Sequence, residues 1–287
     1  CGFIRLPCTA RCRNASVANH YCARCCRPLL ISAMRRRLIP GLLGRITGVS
    51  RVVASRVAAR PTPEIVFPAD EPLSTLPVVV LDTETTGLSV HKDRLVAIGG
   101  LQCRGGHPEP SPPLDYLVHP GIKIPPRATN IHGITNERVA FAPSFPLIWP
   151  SIQLFWHRRV LVGHNIAFDL AILRHEAERA GLSFHPPAAA LDVGMLYAGL
   201  KPRMSMISLD TVAQDLGVEI SSRHSAIGDA EAAAAIWAQL LPALSRLGVA
   251  TLGAAQKLMA KQRDLIHGQS RAGWAVDLLL PHRGMAP

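Results

Sequence analysis

The sequence predicts an α/β domain within a chain of 287 residues, on three observations. Short β-branched apolar runs recur at residues 77–81 (Pro-Val-Val-Val-Leu) and 159–163 (Arg-Val-Leu-Val-Gly), the pattern of strands buried on both faces. Apolar residues at helical spacing follow the second run, at Ile166, Leu170, Leu173 and Ala177, and stop near Gly181. An alanine-rich helix over residues 230–244 carries Ala232, Ala233, Ile236 and Leu240 on one stripe. Strands separated by helices define the α/β class.

In chain order, residues 61–76, with Pro61, Pro63, Pro68 and Pro72, read as a linker. Residues 77–81 form the first strand, 93–103 the second and 114–119 the third, the last two joined across a Gly/Pro-rich loop at 105–113. A helix over 143–156 is made irregular by Pro146 and Pro150. Residues 159–163 are the fourth strand and 188–193 the fifth, with a short helix at 208–216 closed by Gly217. The domain is bounded at 77–246. Residues 247–287 read as one basic helix around 254–266 and an undefined tail.

Four acids and a histidine point to the chemistry. Asp82 and Glu84 leave the first strand in Asp82-Thr83-Glu84-Thr85-Thr86-Gly87-Leu88. Strand side chains alternate, so both acids point to one side and Thr83 to the other. Two carboxylates there repel each other unless a cation lies between them, and Gly87 then lets the chain turn. Asp169 projects from the inward edge of the Ile166 helix stripe, where its first-turn position also favours an acid. His224 precedes Asp229 by five residues on a loop leading into the alanine-rich helix. Imidazole, with an unperturbed pKa of about 6.5, can take a proton from water near neutral pH. Four carboxylates and one such base are the inventory of a two-metal phosphodiesterase.

These three segments, with Ile131-His132-Gly133-Ile134-Thr135, resemble the DEDD exonuclease superfamily in its histidine subtype, close to the epsilon proofreading subunits of bacterial DNA polymerase III. The tyrosine subtype places Tyr four residues before the last Asp, where this chain has Ser225. The resemblance covers residues 76–246 with the motifs in order, and the ordered set is specific where each motif alone is weak. It implies a ribonuclease H-like mixed five-stranded sheet flanked by helices, and a loop between the third strand and the first helix at Ile131–Thr135. It further implies that Asp82, Glu84 and Asp229 hold one cation and Asp82 with Asp169 a second, about 3.5–4 Å apart. His224 is then the general base for 3′–5′ removal of nucleoside 5′-monophosphates. Hard oxygen ligands suit Mg²⁺ or Mn²⁺ better than Zn²⁺. Thr85, Gly87 and Leu88 would contact the terminal nucleotide, with help from Asn165; turn packing is the equal alternative for Leu88 and Asn165.

Charge is distributed unevenly. Residues 1–60 contain twelve Arg and no Asp or Glu, giving +12, and the remainder sums to −1. This arm reads as a nucleic-acid tether, as a basic amphipathic helix over 38–59 on a membrane surface or a protein, or, for residues 1–33, as no native segment. The chain begins with Cys1, and Met34 is the expected start. Six of seven cysteines lie in residues 1–26. Cys8-x3-Cys12 and Cys22-x2-Cys25 have zinc-knuckle spacing, but the apolar partners of such a small domain are scarce. Cys103 alone in the domain fits a reducing cytosol, and no apolar run is long enough to span a membrane. The expected partner is the 3′ end of single-stranded DNA, with RNA as the near alternative and a polymerase subunit as a docking partner. A polymerase accessory protein with incidental catalysis is the reading from a different class.

Overall fold

The computed structural model describes residues 67–201 and 207–280. The basic arm, its cysteines and Met34 lie outside these residues. The sheet contains β1 (Pro77–Thr85), β2 (Leu95–Arg104), β3 (His107–Pro108), β4 (Leu114–Leu117), β5 (Val160–Gly163) and β6 (Ala190–Asp192). β2 runs antiparallel to β1, and β3 and β4 share its outer edge. β5 and β6 add on the other side in parallel. The expected five-stranded sheet therefore gains a sixth, two-residue strand that extends no further than the existing edge.

Nine α-helices are formed among the described residues: α1 (Pro126–His132), α2 (Asn136–Val139), α3 (Phe145–Phe155), α4 (Ile166–Arg179), α5 (Val193–Leu200), α6 (Leu209–Leu216), α7 (Ala226–Arg246), α8 (Leu252–Ala260) and α9 (Arg263–Arg271). α7 covers one face of the sheet and α3 and α4 the other. Adjacent residues of β2 show the alternation: a Cβ on Gly99 would meet the start of α7, and one on Gly100 would meet Phe155 of α3. The core between the layers is apolar, with Leu81, Ile98, Leu161, Ile172 and Trp237 fully buried.

Several boundaries differ from the sequence reading. β1 runs on through the acids to Thr85, because Asp82 and Glu84 pair with Gly99 and Ala97 on β2. β2 begins at Leu95 because the Asp93 carboxylate is engaged upstream, accepting from Thr86 Oγ1 and the Ser89 N–H at 2.8 Å each. Ile131–Thr135 is no simple loop: Ile131 and His132 end α1, and Gly133 closes it at φ 69. α5 was hidden because its residues are almost all buried, so it shows no amphipathic period. The basic C-terminal helix is two helices, α8 and α9, broken at Lys261 and Gln262. Of the residues read as a linker, 67–76 lie on the domain: Leu73 and Leu76 are buried, and the Leu73 N–H donates to Ala250 O at 2.9 Å. No described helix is long and apolar enough to cross a membrane.

Gly99 sets the distance between α7 and the sheet. An added Cβ would lie 2.5 Å from Ile227 Cα, against backbone that has nowhere to move. Gly99→Ala is expected to destabilise the domain by about 1–3 kcal/mol or more, the cost of overpacking. Urea denaturation measures it, and an unchanged midpoint would show that α7 floats freely on the sheet.

Candidate active site

Alternation along β1 turns Asp82 and Glu84 toward α7, and Ser225, the N-cap of α7, starts that helix so that Asp229 falls in its first turn. Ligand oxygens of Asp82, Glu84 and Asp229 all lie within 4.8 Å of one another. Asp169 comes from α4 and stands apart from this trio, 3 % exposed. Thr83, on the opposite face of β1, holds it: Thr83 Oγ1 donates to Asp169 Oδ1 at 2.6 Å.

The crowding shows in the electrostatics. Burial raises the Asp82 carboxyl well above the usual carboxylate range, and Asp169, Glu84 and Asp229 raise it further. Burial, then Asp229, pushes Glu84 up to about 7. Burial likewise pushes Asp169 up to about 8 against the opposing Thr83 hydrogen bond. Asp229 is also raised by burial, with Arg223 and His224 acting against it. Four acids that resist ionising together and offer hard oxygens fit divalent cations. The trio is the group whose oxygens lie close enough together to share one cation.

Among the described residues, a cation of the chain itself already leans on the trio. Arg223 pairs with Asp229 Oδ2 and, through Nε at 2.9 Å, with Asp210 Oδ1. The sequence reading gave it no role; its position beside His224 was the available signal. A guanidinium on Asp229 competes with any divalent ion. Arg223→Leu is therefore expected to bind Mn²⁺ about two- to fivefold more tightly by titration calorimetry, the scale of a partly solvated charge pair. Weaker binding in this variant would show that Arg223 supports the metal site.

His224 is exposed and adopts a left-handed backbone, φ 62, uncommon without glycine. Its N–H donates to Asp229 Oδ1 at 3.3 Å, which ties the loop to the trio. Thr85 is buried, its hydroxyl donating to Gly87 O at 2.6 Å. Gly87 is needed for closeness more than for turning, since a Cβ would come within 2.6 Å of the Asp93 carboxylate. Leu88 is 78 % exposed, so turn packing does not account for it.

Asn165 is instead engaged within the fold. It caps α4 in the left-handed region, its amide lies 3.3 Å from His164 Nδ1, and Gln269 Nε2 of α9 donates to its Oδ1 at 3.2 Å. The C-terminal segment thus reaches the Asp169 helix, where the Ala275 N–H also donates to Ala167 O at 3.0 Å. Thr83, Arg223 and Gln269 all act through partners distant in sequence or in another element.

Residues 79–237 match the family model described as exonuclease (RNase T), and the chain belongs to that family. The expectation of an exonuclease domain agrees with this family. A DNA polymerase III subunit epsilon-like protein of Rhodobacter capsulatus is 39 % identical over 189 residues, covering 65 % of this chain and 27 % of the relative. A PolC-type DNA polymerase III of Clostridium perfringens is 32 % identical over 158 residues, covering 55 % of this chain and 11 % of the relative. The chain thus matches about a quarter or less of the length of these relatives. Solved structures share the fold. Exonuclease X in complex with 5′ overhanging duplex DNA has TM-score 0.50 and 22 % identity, over 63 % of this chain and 99 % of that one. The nuclease domain of 3′hExo, a DEDDh family member bound to rAMP, has TM-score 0.52 and 16 % identity, over 59 % and 93 %.

Proposed function

We propose that the domain is a metal-dependent 3′–5′ exonuclease acting on DNA, with Asp82, Glu84, Asp169, Asp229 and His224 as its working residues. The convergence of the Asp82, Glu84 and Asp229 oxygens within 4.8 Å, beside the His224 loop, carries this reading. Asp82, Glu84 and Asp229 would hold one Mg²⁺ or Mn²⁺, and Asp82 with Asp169 a second. When bound, such cations lower the pKa of water and offset charge on the phosphate oxygens. His224 takes the proton of the attacking water; its exposure lets it pass that proton to solvent. Thr83 fixes the Asp169 carboxylate, and Asn165 fixes the start of the helix that carries it. Leu88, with the backbone from Thr85 through Gly87, meets the terminal nucleotide, and the product is a nucleoside 5′-monophosphate.

DNA is preferred as substrate because the relatives described above are named as DNA polymerase III proteins. On the same ground the chain works beside a polymerase in the cytoplasm. Cys103, buried and pushed up to about 11 by that burial, is an inert free thiol and needs no oxidising compartment. Digestion of matched single-stranded DNA and RNA, with products identified by mass, tests both chemistry and strand. Nucleoside 5′-monophosphates released faster from DNA are expected. Faster release from RNA would move the assignment to RNA trimming, and 3′-monophosphate products would refute the mechanism.

A further inference from the structure

Helices α8 and α9 lie beyond residue 237, where the match to the exonuclease family ends. They nevertheless reach the segments around Asp169. Met259 Sδ of α8 accepts from the Asp192 N–H at 3.2 Å, at the end of β6. Gln269 of α9 is buried and donates to Asn165. Just past α9, the Trp274 ring meets Phe168 edge-on, with centroids 5.4 Å apart.

Asn165 is where this docking bears on the site. An asparagine before a helix ordinarily takes an extended backbone and caps the first turn with its side chain. Asn165 does neither: it sits at φ 57 and ψ 33, and its side chain makes no capping bond to α4. Such a conformation persists where its surroundings over-determine it. Here they form one directed chain of hydrogen bonds. Gln269 Nε2 donates to Asn165 Oδ1, which leaves Asn165 Nδ2 to donate to His164 Nδ1. With Nδ1 accepting, His164 carries its proton on Nε2, which faces Ile207 O at 2.9 Å. Gln269 heads the chain. Burial raises the Asp192 carboxyl, and His164 and the Gln269 amide act against it. Asp169 follows Asn165 by four residues, so a shift of Asn165 turns the start of α4 and moves the carboxylate against Thr83.

We propose that Gln269 is a positioning residue of the nuclease site, holding Asn165 left-handed and thereby setting the first turn of α4 and the Asp169 carboxylate. It touches neither substrate nor cation and acts through Asn165. The proposal rests on the nuclease reading and places part of what that reading needs outside the matched residues.

Three variants of the full chain test it. Gln269→Met keeps the length of the side chain and removes the donor. Asn165→Gly reads the same bond from its other end, since glycine is at ease at φ 57. Leu265→Ala is the control, loosening α9 on the core while the amide stays in place. Hydrogen exchange of the metal-free chain reads the start of α4, and steady-state digestion of 5′-labelled single-stranded DNA in Mg²⁺ reads the site. In Gln269→Met, exchange over residues 166–171 is expected to rise about two- to tenfold, the loss of one neutral hydrogen bond, with β1 unchanged. Its kcat should fall about ten- to a hundredfold at constant KM, as when an outer partner of a ligand is removed. Leu265→Ala should keep its kcat, and Gln269→Met should cost nothing further in the Asn165→Gly background. Unchanged exchange over 166–171 in Gln269→Met overturns the proposal. So do an equal loss of kcat in Leu265→Ala, which would make the role one of folding alone, and additive losses in the double variant. Should Gln269→Met fail to fold, Asn165→Gly decides by the same exchange readout. A wild type that digests no substrate defeats the nuclease reading, and the exchange comparison still decides whether Gln269 sets the start of α4.

Discussion

Asp82→Asn is expected to abolish metal-dependent hydrolysis, by on the order of a thousandfold or more, while raising the melting temperature of the metal-free protein. Both effects have one cause. Asp82 is the acid that feels the other three, Asp169 most strongly and then Glu84 and Asp229. With cations present it is the carboxylate common to both proposed positions; without them it is the centre of a repulsive cluster. The pH dependence follows from the raised groups. Glu84 at about 7 and Asp169 at about 8 stand above the ordinary carboxyl values of 4.5 and 3.8. The folded, metal-free protein therefore binds more protons than the unfolded chain. That stabilisation is complete below the unfolded values and is lost as pH rises through 7 to 8. Thermal melting of the metal-free wild type should fall between about pH 5 and 8.5, less so in Asp82→Asn, and saturating Mn²⁺ should flatten the wild-type curve. A pH-independent melt that Mn²⁺ leaves untouched would show that these acids do not share a cation site.

His224→Ala is expected to lower kcat about a hundred- to ten-thousandfold, the range for removing a general base, with Mn²⁺ affinity almost unchanged. The ring is exposed, and only the backbone N–H of His224 touches Asp229, so truncation removes the base and leaves the ligand. His224→Gly separates the ring from the strained backbone. At φ 62 glycine is at ease, so this variant should be equally inactive and no less stable than wild type. Activity retained in both would mean that water loses its proton directly to solvent.

The sequence reading reached the acids because they sit in short local patterns: alternation on a strand, first turns of two helices, fixed spacing to a histidine. It recovered the strands wherever apolar runs were short and bounded. Contacts that connect distant segments left no such trace. Thr83 looked merely turned away, yet its hydroxyl holds Asp169, 86 positions on. Gly99 looked like any strand glycine, although it sets the seat of α7. Asn165 read equally as a substrate contact or as turn packing, and Gln269, 104 positions on, decides what its side chain does in the fold. α5 had a legible start, since the Asp192 side chain caps it by accepting from the Met195 N–H at 3.0 Å. Continuity with the buried β6 concealed the change from strand to helix.

The proposed 3′–5′ exonuclease depends on the acid trio, Asp169 and His224 acting together with a metal. The most direct measurement is digestion of a 5′-labelled single-stranded DNA by the purified chain, with Mg²⁺ supplied or chelated and with Asp229→Ala alongside. A ladder shortening from the 3′ end is expected, lost with the chelator and in the variant. Intact strands under every condition, including Mn²⁺, would contradict it and leave a polymerase accessory with incidental acids. Shortening that persists in Asp229→Ala would contradict it more directly, by placing the chemistry elsewhere in the chain.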